Sequence, residues 1–260
     1  RIEMQLQAPG KSSFLEGGKE NIKWQISYDK FKREAYLHSV PLPIPKENTS
    51  LKITIGAGIK PLAKGNATEK PLNQTIKIPG LNSLAVETVE SVVATNDRYE
   101  PEHVLTISMS ETTYEKEMNK AVQAWVLPVY PPGTKKENHA EPYVWSDLEQ
   151  ITPEVLRQAI PLKLAPIPTE SEHVQLHSFK YSADVGRSLY IKVNKGVKSF
   201  GGYLLGDTSH HLLRVPAFPA ELKILSQGSL LAMSGEKKVA VLLRDLPGVK
   251  FEIGRLLPGQ

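Results

Sequence analysis

The chain contains a long internal repeat that limits the folds open to it. Residues 51–55 (LKITI) and 189–193 (LYIKV) align without gaps at a shift of 138 positions, and each run is followed by a Gly-Xxx-Lys turn. Each copy then closes on an apolar-basic-apolar-Pro signature, at residues 76–79 and 213–216. Because solenoid units span only about 20 to 50 residues, a repeat of this length indicates a duplicated domain.

Short alternating runs predict strands in the first copy. Residues 22–26 and 51–55 place apolar side chains at every second position, which is the period of a half-buried strand. Residues 35–40 and 75–78 are also predicted to be strands. Residues 1–16 are expected to be partly disordered because their pattern is sparse. The turn glycines Gly58 and Gly196 are expected to adopt a positive φ that a side chain would resist.

The second copy carries an additional segment. Residues 104–109 and 124–127 are predicted to be strands, and residues 115–121 have a helix-forming composition. Residues 128–172 have no equivalent of similar length in the first copy, so we interpret them as an insertion. A short helix is predicted over residues 152–160, because Thr152 can cap it and Pro153 suits its first position.

Short strands, frequent turns and one long duplication favour an all-β chain of tandem Ig-like antiparallel β-sandwiches with a short helical insertion. We expect one module over about 1–81, a second over about 82–217 and the start of a third over 218–260. Three further strands are predicted in that last segment, at residues 222–225, 239–243 and 249–253, and apolar residues alternate in the last of them. Three strands are too few for a closed sandwich, so the third domain should be truncated.

Composition excludes several classes of function. The 260 residues include no cysteine, which rules out disulfides, thiolate zinc sites and thioester chemistry within them. The net charge of +4 is spread over interleaved Lys and Glu without an Arg-rich aromatic run, so no nucleic-acid binding is expected. No run approaches the roughly 20 apolar residues of a membrane helix, so no membrane insertion is expected either. The chain begins without Met or a signal peptide, and we expect a piece of a longer protein.

The seven histidines do not form a convincing metal site. His173 and His177 are four positions apart, but on a strand that spacing spans about 13 Å. His177 also matches His38, since Leu-His-Ser occurs in both copies. We therefore expect structural hydrogen bonds at these positions, and neither a metal nor a cofactor.

No residue set points to catalysis. The chain lacks the Gly-Xxx-Ser-Xxx-Gly motif of a nucleophile elbow. Residues 10–12 (GKS) look like the end of a phosphate loop, but Gln5 stands where that motif requires glycine. Carboxylate pairs occur only in charged, turn-rich sequence, where solvated surface is the usual role. No catalytic residue is predicted, and the segment is not expected to be an enzyme.

Tyr143 and Trp145, in the insertion, are the best candidates for a surface that binds a partner. Large aromatic side chains with one polar end are common at interfaces. The alternative is that they pack the insertion onto its own domain, since buried Trp is common. If they form a partner surface, changing both to Ala should weaken association and leave the melting temperature nearly unchanged.

Two motif sets resemble bacterial alpha-2-macroglobulins. Residues 24–27 with 51–55, followed by IKPLAKGNAT at 59–68, resemble the first sandwich domains of those proteins. Residues 222–231 with 238–241 resemble the opening of the next, macroglobulin-type domain. The order of the two sets also agrees with that of the family. The last segment, 218–260, is therefore expected to begin a macroglobulin-type domain.

The resemblance implies an N-terminal, non-catalytic scaffold of a large periplasmic or cell-envelope protein that entraps proteases. It also implies partners: other domains of the same chain, the trapped proteases and a cell-wall synthase. In that family the bait segment and any thioester lie far downstream. Two alternatives remain open, namely an Ig-like array of a bacterial cell-surface adhesion or S-layer protein, and accessory β modules of an enzyme.

Overall fold

The computed structural model describes residues 2–7, 22–31, 34–60, 65–134, 143–225 and 240–252, with the backbone alone given for 2–7. Strands account for 45% of the structure and helices for 8%, which confirms the predicted all-β class. The strands are β1 (Ile2–Gln7), β2 (Trp24–Tyr28), β3 (Ala35–Ser39), β4 (Thr49–Ile55), β5 (Leu72–Ile78), β6 (Val86–Thr95), β7 (Pro101–Tyr114), β8 (Val122–Val126), β9 (Ile160–Pro161), β10 (Ala165–Pro166), β11 (His173–Tyr181), β12 (Ser188–Val193), β13 (Ser209–Arg214), β14 (Glu221–Ile224) and β15 (Val241–Arg244).

Two short helices interrupt the strands. Helix α1 (Glu115–Ala121) joins β7 to β8, and helix α2 (Pro153–Gln158) lies between β8 and β9. Helix α1 was expected from composition and α2 from its capping residues. Thr152 caps α2 as predicted, its side chain accepting a hydrogen bond from the Val155 amide. Within the described ranges, no helix is long and apolar enough to cross a bilayer.

Strands β6 to β13, which we call the second strand set, form two four-stranded antiparallel sheets. The strand orders are β10-β11-β7-β6 and β13-β12-β8-β9. Labelled A to G along the chain, with C′ for β9, these are the D-E-B-A and G-F-C-C′ sheets of an Ig-like sandwich. Side chains of β7 and β12 fill the space between the sheets: Leu105, Ile107, Leu189 and Ile191 are fully buried in one cluster.

Strands β1 to β5, which we call the first strand set, form a three-stranded sheet, β1-β4-β5, and a separate hairpin, β2-β3. Strand β4 lies between β1 and β5 as β12 lies between β8 and β13. Leu51 is opposite Ile76, and its counterpart Leu189 is opposite Leu213, which is the counterpart of Ile76. The repeat seen in the sequence therefore occupies topologically equivalent places.

The turn after the repeated strand is also reproduced. Gly58 and Gly196 have φ angles of +92° and +95°, as expected for both. The Gly58 amide donates to the Thr68 carbonyl, and the Gly196 amide donates to the Leu205 carbonyl, each over 2.8 Å. The positive φ is disfavoured for residues with a Cβ, which explains why glycine occupies this position in both copies.

Three details differ from the sequence-based expectations. Residues 2–7 form β1, so the expected disorder at the start is wrong there; Ile2, Met4 and Leu6 do alternate, between Glu and Gln residues. Residues 8–16 lie outside the described part. Strand β6 is not among the predicted strands, and residues 249–252 form no strand.

The last hairpin, β14-β15, contacts the turn between β6 and β7. Arg244 forms an ion pair with Glu221 at 2.9 Å and donates to the Tyr99 carbonyl at 3.3 Å. The Lys223 ammonium lies 4.7 Å from the centre of the Tyr99 ring. The ion pair lies within the hairpin, and the two contacts with Tyr99 place the hairpin against the eight-stranded sandwich.

The two equivalent leucines provide a test of the packing. Leu189→Ala removes a fully buried side chain from the large core and is expected to lower the free energy of unfolding by about 3–5 kcal/mol. Leu51→Ala, in a smaller cluster, is expected to cost about 2 kcal/mol. Both losses of stability can be measured by hydrogen exchange at increasing denaturant concentration, followed by mass spectrometry of peptides from each strand set. Equal losses would contradict the difference in packing.

Candidate functional site

The insertion of the second strand set covers the outer face of the β13-β12-β8-β9 sheet. Trp125 of β8, Tyr190 of β12 and Leu212 of β13 are cross-strand neighbours in one register row. They belong to a second apolar cluster on the side of the sheet away from the main core. Its buried members are Leu127, Trp145, Val155, Ala159 and Tyr190, and its partly buried members are Trp125, Tyr143, Ile151, Leu156 and Leu212.

Local signals in the sequence shape the insertion for this packing. Asp147 accepts a hydrogen bond from the Glu149 amide and caps a single 3-10 turn over residues 148–150. Thr152 and Pro153 then start α2, and the helix places Val155 in the cluster. Two capped turns thus orient a short polar segment so that its few apolar residues meet the sheet.

Trp145 is the centre of the contact between insertion and sheet. Its side chain is 6% exposed, and its indole N–H donates to the Pro128 carbonyl at 2.9 Å. Tyr143 packs edge-to-face on Trp145 with ring centres 5.0 Å apart and is half-buried. This geometry supports the packing alternative for the two aromatic residues. That they also form a partner surface stays a prediction.

The first strand set has no apolar row at the same place. The register positions that correspond to Trp125, Tyr190 and Leu212 hold Gln5, Lys52 and Thr75. A polar row is stable against solvent, whereas a Trp-Tyr-Leu row needs a cover. In the second set, the insertion between β8 and β10 supplies this cover.

The shared Leu-His-Ser motif does not occupy the same face in the two copies. His177 is buried and lies 2.7 Å from the Thr113 hydroxyl, whereas His38 is exposed and lies 2.7 Å from the Ser27 hydroxyl. Leu37 packs inward, but Leu176 is 53% exposed. An irregularity in β11 between residues 174 and 176 accompanies the change of face. Both histidines form hydrogen bonds, as expected, but the positions are not equivalent.

His210 and His211 also have hydrogen-bond partners. His210 Nδ1 lies 2.6 Å from the Tyr190 hydroxyl, and His211 Nε2 lies 2.6 Å from the Ser209 hydroxyl. Burial, together with the neighbouring His210, lowers the pKa of His211. Among the residues that the structure describes, no three His, Asp or Glu side chains come together as metal ligands.

One aromatic surface was not anticipated from the sequence. The His173 ring lies 5.1 Å from the rings of both Tyr114 and Phe200, beside an open groove of about 450 Å³. Phe200 is 75% exposed. The signal available in the sequence was a lone Phe before Gly-Gly in a turn, which is weak because single exposed apolar residues are common.

Comparison with known proteins identifies relatives along nearly the whole chain. It is 32% identical over 243 residues to the alpha-2-macroglobulin homolog of Yersinia pestis, covering 93% of this chain and 12% of that protein. It is 24% identical over 255 residues to alpha-2-macroglobulin of Rickettsia conorii, covering 92% and 14%. It is 28% identical over 236 residues to alpha-2-macroglobulin of Pasteurella multocida, covering 90% and 12%.

These matches confirm the resemblance to bacterial alpha-2-macroglobulins drawn from the strand motifs. The chain spans only 12–14% of the length of the curated relatives it matches. No family model and no solved structure matches the chain. Each relative carries the same protein name, so the similarity is consistent with a fragment of one kind of large protein.

The packing of the insertion predicts a large effect for one substitution. Trp145→Ala is expected to lower the free energy of unfolding by about 3–5 kcal/mol, because it empties the centre of the second cluster. The adjacent Val144→Ala is the matched control, since Val144 is exposed. Chemical denaturation measures both. If Trp145→Ala left stability unchanged while it weakened binding to a partner, the two aromatic residues would be an interface rather than core.

The buried His177 predicts a pH dependence of stability. Burial lowers its pKa, against smaller raising effects of a Val174 backbone hydrogen bond and the Glu115 charge. The neutral ring therefore contributes stability that is fully present above the unfolded-state pKa of about 6.5 and is lost as pH falls toward the folded-state pKa. Between pH 7.5 and 5, His177→Gln should show a shallower loss of stability than the unsubstituted chain. Equal slopes for His177→Gln and the unsubstituted chain would refute the assignment.

Proposed function

We propose that this chain is a non-catalytic scaffold and interaction segment from the N-terminal region of a bacterial alpha-2-macroglobulin-like protease inhibitor. The similarity to three bacterial alpha-2-macroglobulins over 90–93% of the chain is the observation that carries the proposal. A location in the periplasm or cell envelope is part of it. The partners would be the other domains of the same protein, the trapped proteases and a cell-wall synthase.

The described polar side chains support a structural role. The buried hydrogen-bonding groups His177, Thr113 and Trp145 bond to one another or to backbone within the sandwich. No buried side-chain nitrogen or oxygen among the described residues lacks a hydrogen-bond partner. Catalytic groups are often held partly unsatisfied or with shifted pKa values in a cleft, and scaffolds have no such requirement.

The strand pairing supports division into modules. We propose the boundaries 1–81 and 82–217 for two Ig-like units, with 218–260 as the start of a macroglobulin-type unit. Within the first two, the C-F-G pairing is the same. The Leu204 amide donates to the Leu81 carbonyl at 2.7 Å, and Leu84 bridges to Leu205, so the junction is bonded to the F-to-G turn of the second unit. Such a junction is suited to hold neighbouring modules at a fixed spacing.

The proposal predicts that inhibition belongs to the longer protein and not to this segment. Cleavage of a large protein substrate by a protease is measured with the 260-residue chain, with the parent protein, and with the parent carrying Trp145→Ala or Val144→Ala. The isolated chain should leave cleavage unchanged at tenfold excess. The parent should suppress it, and Trp145→Ala should reduce that suppression after mild heating, whereas Val144→Ala should not.

Two outcomes would contradict the proposal. Stoichiometric inhibition by the 260-residue chain alone would make the segment itself the inhibitory unit. A parent protein that suppresses cleavage of no protease, while it binds cells or cell-wall material, would favour an adhesion array instead.

A further inference from the structure

The first strand set is an Ig-like unit whose first two strands are missing among the described residues. In chain order, β1 pairs with β4, β2 pairs with β3, and β4 pairs with β5. In the second set, C pairs with F, D pairs with E, and F pairs with G. Strands β1 to β5 thus match C, D, E, F and G in sequence order and in pairing. Nothing described in the first set corresponds to A and B, which are β6 and β7 in the second.

Among the described strands, nothing pairs with one edge of β3. In the second set, β11 (strand E) is paired on one edge with β10 and on the other with β7. In the first set, β3 is paired only with β2 among the described strands. Unpaired strand edges expose backbone donors and acceptors and readily accept another strand.

Two hydrogen bonds of the β2-β3 hairpin show which backbone amides of β3 face its unpaired edge. The Val40 amide donates to the Lys23 carbonyl, and the Asp29 amide donates to the Glu34 carbonyl. Because bonded positions alternate along an antiparallel strand, the amides of Tyr36 and His38 face β2. The amides at the intervening positions, Leu37 and Ser39, face the open edge.

The core of the first set is correspondingly thin. Strand β7 alone contributes Leu105, Ile107 and Met109 to the second core, all fully buried. In the first set the described cluster has only Ile22 and Leu51 as buried members. An open groove of about 720 Å³ runs beside the hairpin and is lined by residues 22–25 and 38–40, including the half-buried Trp24. Two further strands would cover the apolar side chains of this groove, Ile22, Trp24 and Val40.

We propose that the open edge of β3 is covered by a β-hairpin of the same protein that precedes residue 1 and supplies the missing A and B strands. Chain order supports this occupant, because β6 and β7 come immediately before α1 and strand C in the second unit. The relatives are about seven to eight times longer than this chain, which leaves ample sequence for the hairpin. Residues 8–21 are a poorer source, since Phe14 and Leu15 are their only large apolar residues.

Residue-level amide exchange by NMR tests the proposal. The 260-residue chain is compared with a chain lengthened at its start by about 40 residues of the parent gene, enough for two strands and a turn. Lengthening should slow exchange of the Leu37 and Ser39 amides by about 100-fold or more, because they gain buried partners. Tyr36 and His38 are the internal controls for the existing β2-β3 bonds. The amides of β11, which is paired on both edges, give the reference for full protection.

A pair of proline variants separates edge pairing from general stabilisation. Ser39→Pro removes an amide that faces the open edge, so it should be tolerated in the 260-residue chain and destabilise the lengthened one. His38→Pro removes an amide bonded to β2 and should destabilise both.

Three results would overturn the proposal. Unchanged exchange at Leu37 and Ser39 in the lengthened chain would mean that the hairpin lies elsewhere. Protection already present in dilute 260-residue chain would mean that residues within it cover the edge. Protection that rises with concentration, together with a dimer in solution, would mean that a second copy is the occupant. None of these results bears on protease inhibition, so failure here is distinguishable from failure of the proposed function.

Discussion

The second sandwich depends on β12, which is buried on both faces. Leu189, Ile191 and Val193 point into the core between the two sheets, and Tyr190 points outward under the insertion. Burial of each such apolar side chain contributes about 1.5–3 kcal/mol, and β12 receives this contribution on both of its faces. Strands β8 and β13 pair with β12, so its register sets both the packing of the main core and the Trp125-Tyr190-Leu212 row on which the insertion packs. The insertion is therefore a structural layer of the module and not a free loop.

In the first strand set, the same strand pairing has a different outer surface. Strand β4 has the register of β12, but Lys52 stands where Tyr190 lies, and its sheet has a polar outer row. The same pairing thus carries a third layer in the second copy, whereas the matching row of the first copy is polar. Among the described strands, the first copy also has no pair that corresponds to β6 and β7. The two copies therefore share a pairing pattern and differ in what covers their sheets.

Much of the fold could be predicted from the sequence, because its signals are local. The alternation in β4 and β12, the turn glycines Gly58 and Gly196, and the Thr152 cap of α2 each act within a few residues. The face of Leu-His-Ser could not be predicted, since a one-residue irregularity in β11 reverses it without a mark in the motif. The role of Trp145 was equally open, because burial depends on a cross-strand row that only the register brings together. Strand β1 was not predicted although Ile2, Met4 and Leu6 alternate, since the polar, glycine-rich residues that follow it obscured this local pattern.

The equivalence of the two copies depends on the assignment of β1 as strand C. Engineered disulfides between β1 and β4 test that assignment directly. The chain has no cysteine, so a designed pair forms without competing thiols. Gln5 and Lys52 are opposite each other in the β1-β4 register, and cross-strand Cα distances of about 4.5–5.5 Å permit a disulfide. Gln5→Cys with Lys52→Cys should close almost completely on mild oxidation, while Gln5→Cys with Thr54→Cys, two positions off register, should stay reduced. Closure of the off-register pair, or of neither, would contradict the shared C-F-G pairing on which the duplicated architecture rests.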